Sequence, residues 1–245
     1  MPHNGVEIPT QIQQTMTDSA LKLTDTDWFL DRLYQFTKEL GCYVIEPYNS
    51  RYLIDLNRPQ DNANLYPGKD TTELCPTSQF DLNPIYLKGK EPSEVEINQR
   101  VQNYWIPYHN RIRSTLENIK NEFGIALLFE AHSIKSHVPR FFNGRLPDFN
   151  FGNLDGRTCS AKLTRKLEEW QPEGYSKVIN GRFKGGYITR AYASPDRSIH
   201  AIQLELSQAT YMDEQSLSYD PKNALKVQKS LQQMFDIFQQ FVSKP

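Results

Sequence analysis

Four short stretches of this sequence gather residue types that do chemistry. Glu130-Ala-His132-Ser133 follows the apolar run Ile125–Phe129. An imidazole at the end of a buried strand can ligate a metal; the plainer alternative is a capping or hydrogen-bonded structural histidine. Asp55-Leu-Asn57-Arg58 follows the strand-like segment Tyr52-Leu-Ile54. The guanidinium fork of Arg58 matches a carboxylate, or else closes an internal salt bridge. Glu205 stands inside Ala-Ile-Gln-Leu-Glu-Leu. An acid in a strand pattern either faces solvent or is held in a cleft, where burial raises its pKa and suits it to general-base work. The run Asn180–Arg190 packs three cations, Arg182, Lys184 and Arg190, and three glycines into eleven residues. Those cations can meet an anion while glycine admits close backbone approach; the alternative is a solvated basic hairpin.

Several chemistries are excluded. The sequence lacks His-Glu-x-x-His, Gly-x-Ser-x-Gly, Cys-x-x-Cys and the phosphate-loop and dinucleotide fingerprints. Lys184-Gly-Gly is too short to cradle a phosphate. Among 245 residues, 28 Lys and Arg balance 29 Asp and Glu, a net charge of −1 that gives no support to a nucleic-acid partner. No window approaches the ~18 apolar residues of a membrane span, so no membrane partner is expected. The opening Met1-Pro2-His3 has neither a charged nor an apolar leader segment. Three cysteines, odd in number and far apart, suit a reducing cytoplasm rather than a disulfide framework.

The elements that must position these residues follow from periodicity. Residues 26–40 carry apolar positions at helical spacing, closed by Gly41; Tyr43–Ile45 reads as a short buried strand. Residues 57–92, rich in Pro, Asn, Asp and Gly, form a long loop packed by its own aromatics. The longest helix is predicted over 93–122, with Ser93 and Glu96 as a capping box and Pro107 bending or splitting it. A strand at 125–129, a helix at 160–170, strands at 177–179 and 200–206 and an amphipathic helix at 222–242 complete the chain. Apolar strands alternating with helices argue an α/β fold with a mixed, largely parallel sheet flanked by helices, in a single domain spanning 1–245. Ligands of such sheets bind beyond the carboxyl ends of the strands, where the four stretches lie.

Pro2-His3-Asn4-Gly5-x-x-Ile8-Pro9, Ser50-Arg-Tyr-x-x-Asp-Leu-Asn-Arg58, Tyr66-Pro-Gly68, Pro107-Tyr-His109, His132-Ser133, the 180–190 block, Gln203-Leu-Glu-Leu206 and Tyr211-Met-Asp-Glu214 together resemble the N-formylglutamate amidohydrolase (deformylase) family. The resemblance runs over nearly the whole chain and is most specific in the 180–190 and Asp-Leu-Asn-Arg blocks. It implies a zinc-carboxypeptidase-like (phosphorylase/hydrolase-like) fold and hydrolysis of N-formyl-L-glutamate to formate and glutamate, as closes one histidine-degradation route. It also implies one Zn²⁺ per chain, or another divalent metal, and a small dianionic substrate.

Carried over in chain order, the resemblance makes His3 and His132 metal ligands, Asn57 and Arg58 a carboxylate clamp and Glu205 the general base. Carboxypeptidases place a ligating Glu three residues after the first His, where this sequence has Val6. Asp27 at a predicted helix start is the expected replacement, with Asp25 and Glu7 as alternates. Arg182 or Arg190, with Lys184, is expected at the second carboxylate, Arg51 or Arg140 at the oxyanion, and Phe141, Phe142 or Phe183 as walls of a formyl pocket. His137 is a candidate to support the ligands; His109 and His200 are expected to be structural or exposed. Relatives carry a strand before the Pro-His turn and this sequence shows none, so an N-terminal strand is expected to be truncated, at a cost in metal affinity and stability. The competing readings are hydrolysis of another N-acyl amino acid and a metal-free anion-binding relative.

Overall fold

The structure is a computed structural model that describes residues 1–243. Its centre is a four-stranded sheet of β1 (Ala126–Ile134), β2 (Phe149–Gly152), β3 (Lys177–Ile179) and β4 (Ile199–Ser207), in the order β1-β4-β2-β3. β1 runs parallel to β4 and β2 to β3, while β2 and β4 are antiparallel, so the sheet is mixed and largely parallel. β4 is buried along its whole length. That follows from helices on both faces: Ile202, Leu204 and Leu206 pack under the C-terminal helix Pro221–Val242, while Ile199 meets the helix Ile106–Phe123.

The remaining elements number in chain order as α1 (Thr10–Gln13), α2 (Leu30–Leu33), α3 (Glu94–Arg100), α4 (Ile106–Phe123), α5 (Ala161–Glu169), α6 (Tyr187–Tyr192) and α7 (Pro221–Val242), with a small hairpin of β5 (Met212–Asp213) and β6 (Ser218–Tyr219). α7 buries Val227, Leu231, Met234, Phe235, Phe238 and Phe241, one stripe at helical spacing, and Asp220 caps its first turn through Lys222 N and Asn223 N. Each such side chain contributes about 1.5–3 kcal/mol on burial, which makes this stripe the main anchor of that face.

Five expectations about elements are corrected. Residues 26–40 do not form one helix: Phe29 takes a left-handed conformation (φ 60), and only α2 and a 3₁₀ turn over Gln35–Lys38 follow. Asp27 therefore lies in a turn ahead of the helix. Tyr43–Ile45 forms no strand; Tyr43 and Val44 are exposed, and the segment lines an apolar cleft of about 530 Å³ along the outer edge of β1. Tyr52–Ile54 is buried but folds as a turn closed by Leu53 N–H to Ser50 O (2.9 Å). In the predicted helix over 93–122, Ser93 caps through Glu96 N–H while the Glu96 carboxylate turns to Arg100 instead of closing the box. Pro107 does not break it; a π-helical turn over Val101–Trp105 precedes α4, and Pro107 falls in the first turn, where no N–H is needed.

Candidate active site

Strand alternation sends Glu130 and His132 of β1 away from the α7 face, and the parallel register sets Glu130 beside Gln203 and His132 beside Glu205. Four polar side chains thus enter one buried patch from two adjacent strands. His3 reaches it from the N-terminal segment. Val6 and Glu7 N–H both donate to Tyr48 O, and Asp27 N–H donates to His3 O (3.0 Å). Gly5 lets this turn pass: a Cβ there would sit 2.4 Å from Asn49 O. Asp27 is fixed by Ser133 N–H (3.2 Å), and its turn is held by Gln208 Nε2–H to Thr26 O and by the Tyr211 hydroxyl, which lies between Trp28 O and Ser133 Oγ.

The two imidazoles are oriented alike. His3 Nε2–H donates to Asp55 Oδ1 (2.6 Å) and His132 Nε2–H to Glu130 Oε1 (2.7 Å). Both Nδ1 atoms are left toward Asp27 Oδ2, at 3.8 Å from His3 and 3.0 Å from His132. His3 Nδ1 is buried without a hydrogen-bond partner among the described residues. One nitrogen of each His and one oxygen of Asp27 lie within 4.8 Å of one another. Two imidazole nitrogens and a carboxylate, with the far nitrogens bonded to further carboxylates, form a donor set that fits a divalent transition metal such as zinc. Burial and Arg51 keep His3 uncharged, with its pKa lowered. Burial opposes charge on His132 too, but Glu130 and Asp27 outweigh it and raise its pKa to about 10. The site thus attracts a cation strongly enough to hold a proton there.

Beside this cluster opens a cavity of about 90 Å³ whose walls include Arg51, Arg58, Arg182, Phe80, Phe141, Phe183 and Glu205. Burial raises the Glu205 pKa to about 8, with His132 and Arg51 pulling down and Asp27 and Glu130 pushing up. Gln203 joins that carboxylate to the 180–190 block: its Oε1 accepts from Gly186 N–H (2.6 Å) and its amide donates to Glu205 Oε2 (3.4 Å). Arg51 is paired with Asp55 (2.8 Å) and stacks on Phe80. Arg58 rests on Thr72 Oγ1 (3.3 Å) and lies 3.8 Å from Asp55. Among the described residues Arg182 has no carboxylate partner; it donates to Phe141 O and lies over the Tyr66 and Phe183 rings.

The fold is shared with known proteins. A crystal structure of N-formylglutamate amidohydrolase from Ralstonia eutropha JMP134 superposes with a TM-score of 0.81 over 99% of this chain and 92% of its own, at 23% identity. A gene product of Agrobacterium tumefaciens gives 0.73 at 14% identity over 98% of this chain and 88% of its own. At those identities the likeness speaks for the fold. Among curated sequences, an N-formylglutamate deformylase of Pseudomonas aeruginosa is 49% identical over 88% of this chain and 82% of its own, and one of Pseudomonas putida is 45% identical over 87% and 80%. The model of the N-formylglutamate amidohydrolase family matches residues 1–212. The chain belongs to that family.

Within this amidohydrolase the expected site residues separate into two groups. His3, Asp27, Arg51, Asn57, Arg58, His132, Arg182 and Glu205 converge on the cluster or its cavity. Of the alternates to Asp27, Asp25 is spent on Phe80 N–H (2.8 Å) and Glu7 is exposed. Three cations expected to meet substrate or oxyanion are engaged elsewhere. Lys184 points outward to Asp155 (3.0 Å), both groups largely in water. Arg190 donates to Gly185 O and Leu65 O, and Arg140 to Asp70, Ser78 Oγ and Gln79 O. Their charges hold loops together, as a guanidinium with five donors readily does. The glycines of the block serve packing: a Cβ on Gly186 would meet Asn57 Nδ2 at 2.3 Å. Phe142 packs behind Phe183. His137 is exposed beside Ser136, and His200 is buried against Phe241.

The sequence reading missed Glu130, Asp55 and Gln203. The predicted strand ends at Phe129, whereas β1 runs on to Ile134 and so puts Glu130 and His132, two residues apart, on one strand face. Asp55 and Gln203 had no signal beyond proximity to a named residue.

Proposed function

We propose that this amidohydrolase cleaves the formamide bond of N-formyl-L-glutamate, giving formate and L-glutamate, with one zinc ion held by His3, Asp27 and His132. The observation that carries the reading is the meeting of that donor set with the buried Glu205 and three arginines around one small cavity. Its parts come from residues 3 to 205, so we infer that one domain carries the whole reaction. Zinc, when bound, supplies Lewis acidity toward the formyl oxygen and toward water. Glu205 accepts the proton of the attacking water and delivers it to the departing amine. Arg51, paired but facing the cavity, stabilises the oxygen on which charge develops. Arg58 clamps one substrate carboxylate beside Asn57, and Arg182, without an acid partner among the described residues, takes the other. Phe80, Phe141 and Phe183 close the cavity around the small formyl end. We place the reaction in the cytoplasm, closing a histidine-degradation route; the three free cysteines accord with a reducing compartment.

The test is metal content of the purified protein together with formate release from N-formyl-L-glutamate before and after chelation. About one zinc per chain is expected, with formate release lost on chelation and restored by zinc. Metal without formate release moves the substrate to another N-acyl amino acid; neither metal nor formate leaves an anion-binding relative.

Arg58→Ala is expected to raise KM about 10- to 100-fold while changing kcat much less. A hydrogen bond to a charged group contributes about 1.5–3 kcal/mol, and one made equally in ground and transition states appears in KM. An unchanged KM in steady-state kinetics moves the clamp to another residue.

A further inference from the structure

Pro107-Tyr-His109 belongs to none of the roles above, yet His109 is among the most buried polar residues, 1% exposed. It lines neither the cavity nor the metal cluster. The π-turn over Val101–Trp105 ends at Trp105, one turn before His109, and the two rings stack with centroids 3.6 Å apart at 22°. Such turns add a residue to the helix and re-aim the side chains that follow.

Both rings donate to the same short segment. Trp105 Nε1–H donates to Arg58 O (2.9 Å) and His109 Nε2–H to Leu56 O (2.8 Å). A carbonyl can only accept, so the proton sits on Nε2; Nδ1 then accepts from the Tyr192 hydroxyl (2.8 Å) at the end of α6. Burial lowers the His109 pKa to about 4, so the ring stays neutral as this bonding requires. The two gripped carbonyls flank Asn57, whose Oδ1 accepts from Ile188 N–H (2.8 Å) and whose amide lies 3.1 Å from His132 Nε2. The Tyr187 ring closes the stack against both Trp105 and His109.

We propose that Trp105 and His109 form a positioning pair that fixes the backbone on either side of Asn57, so that the Arg58 guanidinium meets a substrate carboxylate already aligned. The pair touches no substrate. It acts by holding the 56–57 and 58–59 peptide units, one on each side of the 57–58 unit, and, through Tyr192, by tying them to the helix that opens at Gly186. A loop arginine without that hold must be ordered by each substrate as it binds, which weakens affinity and leaves the chemical step alone.

This inference rests on the proposed carboxylate clamp, and the experiment separates the two. His109→Leu keeps bulk and removes both hydrogen bonds; His109→Gln returns a donor where Nε2 stood; Trp105→Phe removes only the bond to Arg58 O. Each variant is measured for metal content, for kinetics on N-formyl-L-glutamate and for calorimetric binding of glutarate, a dicarboxylate with no scissile bond. His109→Leu is expected to raise KM and the glutarate Kd together by about tenfold, with kcat within about threefold and metal unchanged. His109→Gln is expected to bring both back to within about threefold of wild type, and Trp105→Phe to fall between. Wild-type glutarate binding in His109→Leu and Trp105→Phe overturns the proposal. So does a His109→Gln variant no better than His109→Leu, which makes the residue packing only. A wild type that binds glutarate but releases no formate defeats the proposed reaction, while the glutarate data still judge the pair. A wild type that binds no glutarate removes the clamp and the positioning role with it.

Discussion

Under the proposed reaction, Glu205→Gln is expected to keep the metal content of the wild type and to lose about a thousandfold or more in kcat for formate release, within the ~10²–10⁴ range that a positioned acid–base group supplies. The substitution is nearly isosteric on a strand buried throughout, so the fold has no reason to change. Asn150 Nδ2 still donates to the residue 205 carbonyl, a backbone contact indifferent to the side chain. Gly186 N–H still bonds Gln203 Oε1, and the Gln203 amide finds a carbonyl oxygen where the carboxylate stood. What disappears is the ability to accept a proton. At about 1.4 kcal/mol per tenfold, a thousandfold loss is roughly 4 kcal/mol of transition-state stabilisation. KM changes little, since the amide still fills the same wall of the cavity. The measurement is steady-state formate release with metal content and melting temperature recorded on the same sample. Activity within tenfold of wild type, with metal and stability intact, removes Glu205 from the role of base.

The same residue shows what was legible beforehand. An acid inside an apolar alternating run has two readings, and only the neighbouring strand decides between them. Long-range register set His132 beside Glu205, which no local pattern encodes. Strands with strong apolar runs were legible, as were α5 and α7, because their periodicity is local. The 26–40 segment misled for a physical reason: its apolar residues do face the core, but Phe29 adopts a left-handed turn that aims Asp27 at His132. Tertiary contacts there override helical spacing. The cations stand together in the sequence, but the partner each one meets is set by the fold. Arg182 and Arg190 lie in one block, yet the first faces the cavity and the second ties Leu65 to Gly185. Charge is readable from sequence; the partner that consumes it is not.

His132→Ala is expected to abolish stoichiometric metal binding, and the cluster shows why one ring matters so much. His132 offers one of the three clustered donor atoms proposed to hold the metal, and also the contact that lets two acids coexist. Asp27 Oδ2 lies 3.0 Å from its Nδ1 and Glu130 Oε1 2.7 Å from its Nε2. Burial works against both carboxylates, and His132 is what draws their pKa values below the ordinary range. Removing the ring leaves Asp27 with Ser133 N–H, Arg51 at 3.7 Å and the uncharged His3 ring at 3.8 Å, and Glu130 with Thr189. Breaking a buried charged pair by deleting one partner costs about 3–5 kcal/mol, so the variant melts earlier as well. The two effects separate by titration. A ligand at 100 times its Kd stabilises the native state by about 2.7 kcal/mol, so zinc raises the melting temperature of the wild type and chelation lowers it. In His132→Ala neither addition nor removal moves the midpoint, although the fold persists by circular dichroism at low temperature. Full metal occupancy in the folded variant would sink the assignment of His132 as a ligand and leave His3 and Asp27 to seek a third donor, for which Glu130 is the nearest carboxylate on the same strand face.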